Sequence, residues 1–187
     1  MDDLVRFLFE AGQLKRVARS GWWLAGIRAP ESVAEHSFRC ALIGHFLARR
    51  DGRADVARVT MMCLLNDLHE ARINDLHKVG QAYIDFPAAE SKAFADAVAP
   101  MAEGAELLAL HEEYQRQETR EARLAKDADR IECAFQAREY EAAGCAACRD
   151  WFENARGSLT TDAGRALFDA LSKADANEWW RSAPRAK

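Results

Sequence analysis

Apolar residues recur along this chain at helical spacing, and no stretch shows the sustained alternation of a half-buried strand. The first periodic segment covers residues 3 to about 17, with Leu4, Phe7, Leu8 and Leu14 on one stripe. Ser20-Gly21 ends it, and a loop runs to Pro30. Ser32 followed by Glu35 reads as a capping box opening a second helix to about residue 50, with Val33, Phe38, Ala41, Leu42 and Leu47 as its apolar positions. A third helix is predicted over about 54–68, with Val56, Val59, Met62, Cys63 and Leu65 inward. Residues 70–85 are more polar and irregular, and end at Phe86-Pro87. Helices resume over about 89–98, 103–116, 120–143, 146–155 and 161–174, the last capped by Thr160 or Thr161. Trp179-Trp180 are expected to dock on the body or on a partner subunit. Pro30, Pro87, Pro100 and Pro184 all fall between periodic segments, as helix breakers should. The expected fold class is all-α.

The length of 187 residues fits a single domain with a sizeable core, and 49% hydrophobic against 30% charged residues is a globular composition. No apolar run approaches the roughly 18 residues that a membrane span needs. Met1-Asp2-Asp3 is acidic where a signal peptide is basic, so a cytoplasmic protein is expected. Lys and Arg number 26 against 30 Asp and Glu, a net charge of −4. The tightest basic group, Arg49-Arg50-Asp51-Gly52-Arg53, is interrupted, which disfavours a nucleic acid polymer as partner. A small anion held by one or two arginines remains compatible. The cysteines Cys40, Cys63, Cys133, Cys145 and Cys148 are odd in number, and the first three lie in apolar helical patterns, so buried reduced thiols are expected. Cys145-Ala-Ala-Cys148 lacks the second pair that a zinc site would use.

Ligand-type side chains concentrate in three places: Glu35-His36, Asn66-Asp67-Leu68-His69-Glu70, and Asp127-Ala128-Asp129. Buried carboxylates on separate helices need partners. A shared cation is one solution, and salt bridges to Arg39, Arg72, Lys126 or Arg130 are the other.

Three segments together resemble the HD-domain metal-dependent phosphohydrolases, in the branch of 5′-deoxynucleotidase-like proteins. They are Ala34-Glu35-His36-Ser37-Phe38-Arg39, Leu65-Asn66-Asp67-Leu68-His69-Glu70 and Lys126-Asp127-Ala128-Asp129. Order and spacing fit from about residue 4 to 141, and Arg19-Ser20-Gly21-Trp22 and Gln136-Ala137-Arg138-Glu139-Tyr140-Glu141 fit the same branch. The resemblance implies one HD-type helical bundle with a core over about 4–141, C-terminal helices over about 146–180, and one divalent metal at its centre. It places His36, position 66, Asp67 and Asp129 as metal ligands. It implies phosphate release from a nucleoside 5′-monophosphate by a metal-activated water. Glu70 matches the acidic residue beside that water, and Asp75 matches one near the leaving oxygen. Arg19 matches a phosphate contact, Trp22 or Trp23 a sugar or base contact, and Lys78 lies where it can reach a phosphate. Helical proteins of this kind often dimerise, so a homodimer is expected.

Position 66 departs from the pattern, with asparagine where the family has its defining histidine. An imidazole suits zinc or cobalt, whereas an amide oxygen suits magnesium or manganese. The site is then empty and inactive, or it holds a harder metal through Asn66 or a water, or this chain is a variant of a histidine-bearing parent. His69, three residues on, is a candidate replacement ligand or a pocket-lining or capping residue. His45 is expected at the core boundary, His111 on a solvated face, and Asp127 in a salt bridge pointing away from Asp129. Besides the phosphohydrolase, two readings stand: a nucleotide-binding protein without turnover, and a helical oligomerisation module.

Overall fold

The computed structural model describes residues 1–184, and among these there is no β-strand. The expected all-α architecture is the one found, and Ala18 and Ser32 form one isolated antiparallel bridge. Helix α1 (Asp2–Ala11) stops earlier than its periodicity predicts and passes into a 3-10 turn over Gly12–Lys15. Beyond that turn the chain is extended: the Val33 amide donates to the Val17 carbonyl (2.8 Å) and the Arg19 amide to the Glu31 carbonyl (3.0 Å). Leaving the helical path lets Leu14 and Val17 both enter an apolar cluster with Val33, Leu68, Phe94 and Val98. The anticipated stripe of α1 is only partly used, since Leu4 and Leu8 remain exposed.

After the short α2 (Gly21–Leu24), helix α3 (Val33–Asp51) opens on the expected capping box. The Ser32 hydroxyl accepts from the Glu35 amide and the Glu35 carboxylate from the Ser32 amide. The helix closes on Gly52 at φ 73°, a left-handed conformation that glycine adopts without strain. Its inward face is Val33, His36, Cys40, Ile43 and Leu47, while Phe38 and Leu42 lie exposed rather than packed. Helix α4 (Val56–Leu65), capped by Asp55, buries Val59, Met62 and Cys63. It crosses α3 so closely at Gly44 that a Cβ there would overlap the Cys63 sulfur.

The polar segment contains two single turns, α5 (Glu70–Ile73) and α6 (Lys78–Gln81). Helices α7 (Phe86–Val98) and α8 (Gly104–Arg116) follow, α7 starting on an Asp85 cap with Pro87 in its first turn. Helix α9 (Arg120–Ala142) is the axis of the fold and packs against α3, α4, α8, α10 (Arg149–Ser158) and α11 (Asp162–Leu171). Alanines 122, 125, 128, 134 and 137 are buried along it, and their small size lets neighbouring helices come close. The chain ends in α12 (Glu178–Arg181), where Trp179 and Trp180 stay exposed instead of docking on the body.

Asp127 is fully buried and points away from Asp129, but its work is capping more than ion pairing. Its carboxylate accepts from the Thr160 and Thr161 amides and both hydroxyls, and Arg130 approaches only to 3.7 Å. This anchors the start of α11 to α9, while Thr161 itself caps α11 through the Gly164 amide. Asp127→Ala removes the shared acceptor of the Thr160 and Thr161 amides and hydroxyls and unties α11 from α9, at a cost of about 2–4 kcal/mol. The expected result in calorimetry is a Tm lower by about 5–15 °C.

His111 corrects the expectation of a solvated face. It is buried and stacks on Phe94, with ring centroids 3.9 Å apart and planes 8° from parallel. Burial, aided by the nearby His69, pushes its pKa down to about 4 from 6.5. The folded state therefore favours the neutral ring. The resulting stability is present above pH 6.5 and drains away as pH falls toward 4, by at most about 3 kcal/mol. Urea unfolding at pH 7 and pH 4.5 should show a smaller loss for His111→Leu than for the unaltered chain.

Candidate metal centre and cavity

The capping box fixes the first turn of α3 and with it His36, one residue beyond Glu35. The imidazole is 1% exposed and its Nδ1 meets the Glu132 carboxylate from α9. Nε2 therefore faces the opposite way, 3.2 Å from Asp129 Oδ1 and 3.4 Å from Asp67 Oδ2. Neither contact has hydrogen-bond alignment, so Nε2 is a buried polar atom without a partner.

Asp67 reaches this point because α4 ends at Leu65. The next turn closes through the Leu68 amide on the Leu65 carbonyl and the Glu70 amide on the Asp67 carbonyl. Leu68 anchors that turn in the apolar cluster, while Asn66, Asp67, His69 and Glu70 stay on the polar side, all buried. Asp129 comes from the middle of α9, where Lys126 one turn earlier holds its carboxylate at 2.9 Å. Arg19, held by the extended pairing with Glu31, lies 3.5 Å from Asp67, 3.6 Å from Asp75 and 3.1 Å from Cys133 Sγ. The Ser20 hydroxyl donates to Asp75 (3.3 Å).

The electrostatics follow from crowding. Burial and the Arg19 charge oppose protonation of His36, but Glu132 and Asp129 outweigh them, and its pKa stands well above the usual imidazole value. Burial would raise Asp129, yet Lys126, His36 and Arg19 hold it well below the ordinary carboxylate range. Glu70 goes the other way: burial and the neighbouring Asp67 and Asp75 charges push it well up, and its Oε2 is also unpartnered. Asp75 is raised mainly by burial, against the pull of Arg19. Burial drives the Cys133 thiol up to about 11. Asp67, Asp129 and Glu132 thus crowd around His36, with Arg19, Lys126 and Arg39 at the edges of the cluster and Glu70 and Asp75 beyond Asp67. A divalent cation fits the orphaned His36 nitrogen and the carboxylate oxygens around it.

These groups line a cavity of about 670 Å³. It brings together Arg19, Asn66, Asp67, Glu70, Asp75 and Asp129, with His36 directly behind them. Lys78 lies at its exposed edge, bonded to Gln81 (3.1 Å). Trp22 contributes to the wall but is 2% exposed. Its indole N–H is used by Glu31 (3.0 Å) and its ring packs edge-on against Tyr140, whereas Trp23 is exposed elsewhere. His69 turns toward Glu90 (3.8 Å) and Phe86. His69 therefore lines the cavity, and its Nδ1 is buried without a hydrogen-bond partner. The ion-pair alternative is realised beside the site: Arg39 binds Glu132, and Arg72 binds Glu10 far from Asp67.

Sequence reasoning missed Glu132 and Cys133. Glu132 is three residues and Cys133 four residues after Asp129, so a helical-face count around Asp129 would have found both.

Comparison with known proteins adds a second line. A family model described as HD domain matches residues 11–171. The 5′-deoxynucleotidase HDDC2 of Danio rerio is 33% identical over 144 residues, covering 75% of this chain and 71% of that protein. The human protein of the same name is 33% identical over 142 residues, covering 74% and 69%. A conserved hypothetical protein from Pyrococcus furiosus superposes with a TM-score of 0.80 at 32% identity, covering 91% of this chain and 99% of that one. A predicted metal-dependent phosphohydrolase from Magnetospirillum magnetotacticum MS-1 gives 0.72 at 27% identity, covering 96% and 92%.

Proposed function

The chain belongs to the HD domain family of metal-dependent phosphohydrolases, and on that premise we propose that it releases phosphate from (deoxy)nucleoside 5′-monophosphates. The observation that carries this reading is the unpartnered His36 Nε2 facing Asp67 and Asp129 beside Arg19, directly behind the wall of a nucleotide-sized cavity. His36, Asp67 and Asp129, with Asn66 alongside, would hold one divalent ion: cobalt, manganese, magnesium or zinc. That ion would supply Lewis acidity and a water of lowered pKa.

The remaining steps belong to the chain itself. Glu132 accepts from His36 Nδ1 and so keeps Nε2 free for the cation. The Arg19 guanidinium has donors enough to keep Asp67 and still bind phosphoryl oxygens as a fork. Glu70, buried and with one oxygen unpartnered, is placed to take the proton of the attacking water. Asp75, its pKa raised and its orientation fixed by Ser20, is suited to protonate the leaving nucleoside oxygen. Lys78 at the cavity edge adds positive charge toward the incoming phosphate. Trp22 shapes the nucleoside side of the cavity by packing. A homodimer belongs to the same reading, and the exposed row Phe38, Leu42 and Phe46 on α3 is the apolar surface it offers. Asn66 favours one alternative, a nucleotide-binding protein without turnover.

The test is phosphate release from a panel of nucleoside monophosphates with cobalt, manganese and magnesium, for this chain and for Asn66→His. The expected result is release by the unaltered chain with at least one metal, rising about tenfold or more in Asn66→His. Nucleotide binding with no release by either chain would replace the enzyme with the binding protein.

A further inference from the structure

Cys133 has no part in the function derived above, yet its thiol lies among the groups that matter most. The sulfur, a nitrogen of His36 and an oxygen of Asp129 all lie within 4.8 Å of one another. Asp129 and Cys133 are separated by one turn of α9, so both project from the same helix face. Cys133 lines the cavity and is half-buried, unlike Cys40 and Cys63, which are sealed in the core. The Arg19 guanidinium donates to its sulfur at 3.1 Å while also meeting Asp67. His36 Nε2, 1% exposed and without a hydrogen-bond partner, is an independent sign that a cation belongs here.

We propose that Cys133 Sγ is a protein ligand of the divalent cation and supplies the soft donor that Asn66 does not. This rests on the metal-dependent reading above and assigns to this chain its own ligand set: His36, Asp67, Asp129 and Cys133. Zinc takes sulfur at about 2.3 Å and imidazole nitrogen at about 2.0–2.1 Å, so two such donors in a tetrahedral shell sit roughly 3.5 Å apart. Against the 4.8 Å bound, side-chain closure of roughly 1.3 Å at most brings the Cys133 sulfur and the His36 nitrogen to that separation, and with Asp67 and Asp129 a five-coordinate shell keeps a position for the water. On binding, the S–H bond breaks, the sulfur–metal bond forms and the proton passes to solvent. Arg19 stays beside the sulfur and offsets the new thiolate charge. A thiolate in the shell selects for zinc and cobalt over magnesium, reversing the preference that an amide oxygen at position 66 implies.

Cobalt substitution tests this without relying on turnover. The full chain loaded with cobalt should show a thiolate-to-cobalt charge-transfer band in the near ultraviolet together with visible ligand-field bands. Cys133→Ser should lose the charge-transfer band while keeping visible bands, and zinc affinity measured by titration should fall about tenfold or more. The double variant Cys145→Ser, Cys148→Ser should keep the band, which separates Cys133 from the two thiols outside the cavity. On the unaltered chain, zinc should protect Cys133 from alkylation, mapped by mass spectrometry. Cobalt bound with visible bands but no charge-transfer band, or equal alkylation of Cys133 with and without zinc, overturns the assignment of Cys133 alone. Failure of every chain to retain cobalt or zinc overturns the metal reading and this assignment with it.

Discussion

Burying charge is the constraint on which this structure turns. Asp67, Glu70, Asp127 and Glu132 are all below a tenth exposed, and an isolated ionised carboxylate loses several kcal/mol on leaving water. Each one has a distinct solution. Asp127 is surrounded by amide and hydroxyl donors from Thr160 and Thr161. Glu132 sits between His36 and Arg39. Asp129 has Lys126, and Asp67 shares Arg19 with Asp75. Glu70 has no ion-pair partner among the described residues, and burial together with the Asp67 and Asp75 charges pushes its pKa up. What remains is a concentration of negative charge around one unpartnered imidazole nitrogen. A divalent cation at that point would complete the electrostatics of the cluster.

The helices are arranged to hold this cluster. Helix α9 carries both kinds of residue. Alanines on its buried face admit α3 and α4 at close range, and Lys126, Asp129, Glu132 and Cys133 face the centre. The break between α4 and α5 turns Asp67 and Glu70 inward while Leu68 secures the turn in the core. The extended pairing of residues 17–19 with 31–33 ties the Arg19 backbone to the start of α3, so that Arg19 and His36 share one support. Apolar packing sets the frame and polar groups fill its centre, which is why a loss at Asp127, far from the chemistry, is expected to act on stability.

Much of this was legible in the chain. The capping box at Ser32-Glu35, the Gly52 terminus and the long helix through Asp129 all follow from local chemistry, and the structure has them. The three dispersed motifs pointed to one centre, and their side chains do meet. The end of α1 was not legible, because burial of Leu14 and Val17 against Val33 and Phe94 overrides a local helical stripe. His111 was misread because its neighbours Glu112 and Glu113 are polar, whereas its ring is decided by Phe94 from another helix. Cys133 was read as an ordinary core thiol. Only the approach of Arg19 and His36 from distant parts of the chain distinguishes it from Cys40 and Cys63.

The central claim is that one divalent ion sits where His36, Asp67 and Asp129 converge. Anomalous diffraction at the zinc edge, from crystals of the full chain equilibrated with zinc, tests it most directly. A single strong peak is expected within bonding distance of His36 Nε2 and the Asp67 and Asp129 carboxylates. A peak confined to Cys145 and Cys148, or no peak at the centre with His36 and Asp129 well ordered, would contradict it.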